Sequence, residues 1–185
     1  MARRTSGMPP EVPREMPPDL RAGVQLSGAR TDGEGLAELE PLWTELHAHH
    51  REVAEHRDLV ADPTASWAAR LRLYRRLLAE GGAYVTAARD GRAVGYAMIG
   101  LEEGDDDTFA VTGGVAEVVT LVVTGRERRS GVGAALLVAA EEIARSRGFD
   151  TVKIAVMSGN DRAERFYASH GYAVAEHVLY RRLAR

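Results

Sequence analysis

Cysteine is absent from the 185 residues, and with it go disulfide staples, thiolate zinc sites and any cysteine nucleophile. Lysine is almost absent as well. Lys153 stands alone among 24 basic residues, so Schiff-base chemistry is excluded elsewhere in the chain. No apolar run approaches the ~18 residues that a membrane span needs. Arg3 and Arg4 have no apolar stretch behind them of the kind that makes a secretory leader. The formal net charge of −3 gives no whole-molecule attraction to nucleic acid or to anionic lipid. These absences lead us to expect a cytoplasmic protein with neither a membrane nor a nucleic-acid partner.

What is present suits a globular core: 45% of residues are apolar, enough for a chain of this length to fold as one domain. Five of the seven prolines (Pro9, Pro10, Pro13, Pro17 and Pro18) fall in residues 1–19. Little there can bury a face, so a disordered or loosely packed tail is expected, followed by a single domain over residues 20–185. Val24-Gln25-Leu26 reads as a short strand. Leu36, Leu39, Trp43, Leu46, His50 and Val53 recur at helical steps and predict a helix over 33–53 that starts or kinks at Pro41. Asp62-Pro63-Thr64 opens a second helix with Trp67, Leu71, Tyr74 and Leu78 on one face. Its Arg70, Arg72, Arg75 and Arg76 read as a solvated face, and Gly81-Gly82 ends it.

The period then changes. Residues 83–89 and 92–101 are strand-like, and Asp90-Gly91 between them is a two-residue hairpin signal. The acidic run Glu102-Glu103-Gly104-Asp105-Asp106-Asp107 is too charged for a strand; it is either a solvated connection or a lure for a cationic acceptor. Residues 115–123 predict a central strand, and 131–147 a helix with Val132, Leu136, Ala139, Ala140 and Ile143 facing inward. A buried strand at 151–156, a short helix at 160–170 and one or two strands within 172–183 follow. This order predicts a mixed α/β (α+β) fold: a largely antiparallel sheet of six to seven strands flanked by about four helices.

The connection from the central strand to the next helix carries the chemistry. A helix N-terminus leaves about four backbone N–H groups unpaired and concentrates roughly half a positive charge there. Gly131 and Gly133 clear side chains from that end, and Arg128 and Arg129 add full charges beside it. Together they suit a pyrophosphate, although a glycine turn with solvated arginines would look the same. The dinucleotide fingerprint needs its glycines directly after the strand, whereas residues 124–130 intervene here and Leu136 holds the third glycine's place. The P-loop needs Gly-Lys-Ser/Thr, and no lysine is within reach.

The run Glu117-Val118-Val119-Thr120-Leu121-Val122-Val123, followed by Arg128-x-x-Gly131-x-Gly133-Ala134, resembles the acetyl-CoA motif of the GNAT acetyltransferase superfamily. The run Asn160-x-x-Ala163-x-x-Phe166-Tyr167-x-x-x-Gly171-Tyr172 is similar to that family's second signature, at the expected distance. The two motifs cover residues 115–172. The resemblance implies a GNAT-type sheet, acetyl-CoA as co-substrate, an amine acceptor, direct transfer in a ternary complex, and no metal. It also implies that Leu121, Val122 and Val123 run along the pantetheine arm, the Leu121 amide meeting the thioester carbonyl. Arg128, Arg129, Ser130, Gly131, Val132, Gly133 and Ala134 would hold the pyrophosphate, and Asn160 the pantetheine or a bridging water. Homodimers are common in the family. An acyl-CoA sensor without catalysis, or an enzyme for a longer acyl donor, stays open beside this reading.

Acetyl transfer to an amine needs a base and an acid. Glu117, four residues before Leu121, resembles the catalytic glutamate of the GNAT histone acetyltransferases. Alternation puts it on the face of Val119, Leu121 and Val123 unless a bulge intervenes; a strand-end carboxylate in solvent or an ion pair is the plainer reading. Tyr167 resembles the family's general acid, with a core aromatic as the alternative, and Tyr172 is expected to pack in the sheet. His47, His49, His50 and His56, with Glu45, Glu52 and Glu55, tempt a metal assignment but are scattered around their helix. That segment is expected to be an exposed helix end lining the acceptor cleft.

Overall fold

The hairpin at Asp90-Gly91 sets the register of the sheet. Asp90 (φ 51°) and Gly91 (φ 76°) both lie in the left-handed region, the requirement of a two-residue turn that matches strand twist. In this computed structural model, which describes residues 23–104 and 108–183, that turn pairs Arg89 with Arg92. The expected tail at 1–19 and the acidic residues 105–107 lie outside the described residues.

Five strands form one sheet in the order β1-β2-β3-β4-β5. They are β1 (Val24–Leu26), β2 (Ala83–Arg89), β3 (Arg92–Glu103), β4 (Gly114–Val123) and β5 (Val152–Lys153). The first four are antiparallel neighbours, and β5 joins β4 in parallel. The acidic run does not begin where its charge suggests, because β3 continues through Glu102 and Glu103. Those two residues pair with Val115 and Gly114 at the open end of the sheet, where carboxylates can remain hydrated.

One face is covered by α1 (Glu40–Val53) and α2 (Pro63–Ala79). A short 3-10 turn, Leu36–Leu39, precedes α1, so Pro41 falls at its beginning, where a missing N–H costs nothing. Asp62 caps α2 by accepting from the Thr64 amide at 3.0 Å. Leu36, Leu39, Trp43, Trp67, Tyr84, Tyr96 and Met98 make the core on this side. The other face carries α3 (Val132–Ser146) and α4 (Asp161–Ser169), with Leu136 and Leu137 of α3 packed on Val85, Ala97, Ile99 and Val118. Leu136 is fully buried, and its Cδ1 would lie 3.1 Å from a Cβ at Gly95, so α3 sits tightly on β3. Leu136→Ala should therefore cost about 2–5 kcal/mol of stability, read as a lower denaturant midpoint at unchanged slope; a loss below about 1 kcal/mol would contradict this packing.

The C-terminal part departs from expectation. The predicted strand at 151–156 pairs only over Val152–Lys153. The predicted final strands within 172–183 are absent from the described residues, leaving five strands rather than six or seven. Val174, Val178, Leu179 and Tyr180 are 67–91% exposed. A two-residue β5 offers too short an edge to template them.

Candidate active site

The site begins with a defect in β4. Met98 pairs with Thr120 and Ile99 with Val118, so Val119 is an extra residue, a β-bulge. Val119 and Thr120 consequently both face the α2 side. A Cβ on Gly100 would meet Leu77 of α2 and Val119, and Thr120 Oγ1 lies 2.6 Å from the Tyr74 hydroxyl. That hydroxyl also bonds Tyr96 at 2.9 Å, tying the bulge to α2. Leu121 and Val123 pack on the opposite, α3 side. The alternation expected from sequence is thus broken: Glu117 shares a face with Val119 and Thr120, not with Leu121 and Val123.

The bulge coincides with a parting of strands. β5 accompanies β4 only at Ala116 and Glu117, so residues 118–123 have no strand on that side. The Thr124 amide bonds Val94 on β3, and alternation then turns the amides of Leu121 and Val123 into the gap. The Val123 carbonyl there accepts from Arg128 Nε at 3.4 Å.

Below the gap lies the loop at 124–131. Its backbone is pinned by two carboxylates. Glu45 of α1 accepts from the Gly125 amide at 2.7 Å and lies 3.6 Å from the Arg128 guanidinium. Glu127 pairs with Arg89 at 2.8 Å. Arg129 (φ 62°) and Gly131 (φ 80°) are left-handed, a conformation that is strained for arginine and free for glycine. Ser130 is buried, its hydroxyl donating to the Glu127 carbonyl. No side chain caps α3. Its first backbone bond runs from Ala135 to Gly131, so the amides of residues 131–134 have no partner among the described residues. A Cβ at Gly133 would meet only ordinary contacts, 3.6 Å from Phe166, so the protein's own packing does not demand glycine there. Arg128, Arg129, Gly125 and Arg162 line an open cavity of about 410 Å³ at this loop. Arg162, in the first turn of α4, went unnoticed in the sequence; its signal was its place two residues after Asn160.

Glu117 is half-buried, its carboxylate 3.8 Å from Lys153, whose ammonium is held at 2.6 Å by Glu102. Burial raises the Glu117 pKa above the ordinary carboxylate value; Lys153 opposes this and Glu102 reinforces it. Lys153 and Glu102, which sequence reading had not linked to Glu117, set its charge environment. Tyr167 is buried on the α3 side, edge-on to Phe166 and Tyr172 at 5.1 and 5.7 Å between ring centroids. Burial pushes its phenol well above the ordinary range. Tyr172, expected in the sheet, lies outside any strand, stacks there and donates to Glu141 at 3.1 Å. Asn160 is buried and caps α4, its side chain accepting from the Ala163 amide at 3.2 Å.

On the α1 and α2 side two expectations fail. His47 is buried rather than at an exposed helix end, packed 6.1 Å from the Trp43 ring with Ala61, just ahead of α2, beside it. Arg70 leaves the solvated face of α2 to stack 4.0 Å over Trp43, where its flat cation meets the indole π-face. Among the described residues, no group of three or more histidine and carboxylate side chains is placed to hold a metal ion, and no helix is long and apolar enough to cross a membrane.

Among curated proteins none matches the sequence. In fold, the chain is similar to a GCN5-related N-acetyltransferase from Ralstonia eutropha JMP134, at 16% identity and TM-score 0.67, over 86% of this chain and 98% of that one. It is similar also to the aminoglycoside N-acetyltransferase AAC(6')-Iy in complex with CoA, at 15% identity and TM-score 0.61, over 88% and 99%. The same aminoglycoside enzyme with a bisubstrate analogue, CoA-S-monomethyl-acetylneamine, matches at 15% identity and TM-score 0.62, again over 88% and 99%. At such identities the likeness is one of fold. The sequence profile of the acetyltransferase (GNAT) family covers residues 39–172, most of the chain, and on that match the protein belongs to the GNAT acetyltransferase family.

Proposed function

We propose that the protein transfers an acetyl group from acetyl-CoA directly to a primary amine. The observation that carries this reading is the uncapped N-terminus of α3, with Arg128, Arg129 and Arg162 beside it, at the foot of the gap between β4 and β5. Unpaired amides, a helix dipole and guanidinium groups together suit a pyrophosphate. The amides of Leu121 and Val123 suit an extended amide-bearing arm and the thioester carbonyl at its end, whose oxygen gains charge as the amine attacks. Val122 contributes backbone to that strand while its side chain anchors the other face. Residues 130–134 supply the cradle, and Asn160, through the side-chain amide not used in capping, faces the same arm or a water on it.

In this reading Glu117 takes the ammonium proton and the amine nitrogen bonds to the acetyl carbon. The carbon–sulfur bond breaks with its electron pair leaving on sulfur and Tyr167 protonates the thiolate, while the nitrogen sheds its second proton as the amide forms, through water back to the Tyr167 oxygen. Holding both reactants in one cleft supplies much of the rate by making the encounter intramolecular. Binding is the first test. Acetyl-CoA at a hundred times its dissociation constant should stabilise the folded chain by about 2.7 kcal/mol, seen as a raised Tm, while NAD should leave Tm in place. Equal protection by NAD would overturn the cradle. Release of free thiol only when an amine is added then separates catalysis from acyl-CoA binding alone.

A further inference from the structure

Arg70 is a cation that the acetyl-transfer reading does not use. It sits one helical turn before Tyr74, whose hydroxyl holds Thr120 at the bulge three residues beyond Glu117. Its guanidinium carbon is 4.0 Å from the Trp43 ring and 5.8 Å from that of Tyr74. Stacking uses the face of the guanidinium and leaves its in-plane N–H donors at the edge. Among the described residues no carboxylate, carbonyl or hydroxyl accepts from those donors. Around the same indole, His47 is buried and His50 stands 6.3 Å from the ring, edge-on. Burial lowers the His50 pKa to about 4, so at neutral pH the positive charge stacked on this indole is that of Arg70 and His50 adds none.

Around β4, one ammonium serves two carboxylates: Lys153 pairs with Glu102 at 2.6 Å and lies 3.8 Å from Glu117, so the group keeps one net negative charge. The positive charge of Arg70 reaches Glu117 and pulls its pKa down against the effect of burial. The acceptor side of the site is therefore a dipole, negative at β4 and positive at α2. A polycation would meet repulsion at one end, whereas a zwitterion is matched at both.

Resting on the acetyltransferase reading above, we propose that the acceptor is an amine that also bears a carboxylate, such as an amino acid, and that Arg70 binds this carboxylate from its perch on Trp43. Arg70 is thereby a specificity-determining residue. Its planar donors pair two oxygens at once, and the indole fixes the plane in which they lie.

The test uses a panel of amino acids, their carboxamides and the corresponding decarboxylated amines, together with a polyamine. Acetyl-CoA is the donor and thiol release the readout. The expected result is a kcat/KM for the best amino acid about tenfold or more above its carboxamide. In Arg70→Met that ratio collapses toward one, through KM rather than kcat, and Arg70→Lys recovers part of it. Acetyl-CoA protection measured on Arg70→Met shows that the fold and the donor site persist. A parent enzyme that uses carboxamide and acid alike, or prefers the polyamine, overturns the proposal, as does an Arg70→Met loss shared equally by both acceptors. If no amine releases thiol, the acetyltransferase reading fails by itself. Calorimetric binding of the same acids then decides the carboxylate site: binding lost in Arg70→Met supports it, and binding that is equal or absent in both overturns it.

Discussion

Glu117→Gln is expected to acetylate its amine at pH 7 about 10²–10⁴ times more slowly than the parent enzyme, and to regain most of that loss by pH 10. The recovery follows from the acceptor. A lysine-type amine has a pKa of about 10.4, so near neutrality almost all of it carries a proton that must leave before nitrogen can attack. In the proposed mechanism the Glu117 carboxylate removes that proton, which glutamine cannot do. As the pH rises toward the amine's own pKa, solution supplies the neutral nucleophile and the base becomes dispensable. The parent enzyme should lose activity on the acid side with a midpoint above the ordinary 4.5, because burial raises the Glu117 pKa despite the pull of Lys153. In that direction the sign is fixed: below its raised pKa the carboxylate is protonated and cannot accept. Glutamine keeps the shape and removes this acid limb, so kcat/KM of the variant should rise steadily with pH. Parallel profiles for the two proteins would remove Glu117 as base and leave it an ion-pair partner of Lys153.

The local signals in the sequence are those that survive in the structure. Asp90-Gly91 needs two left-handed residues whatever surrounds it, and Asp62 caps α2 with its own side chain. The turn into α3 is local in the same way, with Gly131 left-handed and no side chain capping the helix. What escaped detection depends on residues distant in sequence. The bulge at Val119 exists because Ile99 and Met98 pair around it, and nothing in a run of valines marks which one is extra. That single residue decides which face Glu117 shares. Arg70 looked solvated because its sequence neighbours are also arginines, and only the arrival of Trp43 from α1 turns it inward. The apolar residues of 172–183 carry strand-like character, but pairing needs an edge, and β5 provides two residues of one.

Tyr167→Phe is expected to cut kcat by about 10²–10³ while leaving acetyl-CoA protection and Tm nearly unchanged. The ring packs edge-on between Phe166 and Tyr172, and phenylalanine reproduces those contacts. The hydroxyl has no hydrogen-bond partner among the described residues, so its removal orphans no protein group; the stability change should stay within about 1 kcal/mol. A loss confined to kcat then points to the reacting atoms rather than to the fold. Its pH dependence separates it from Glu117. Burial holds the phenol far above the ordinary tyrosine value, so it keeps its proton throughout the working range, and the departing thiolate, with a solution pKa of about 8.5, needs that proton at every pH below its own. The defect should accordingly be flat from about pH 6 to 8 and shrink only where free thiolate leaves without help. By contrast, the Glu117→Gln defect falls steadily with rising pH from neutrality upward, because it tracks the amine. Should Tyr167→Phe turn over at the parent rate across this range, Tyr167 is a core aromatic of α4, and the sulfur must take its proton from water in the gap between β4 and β5.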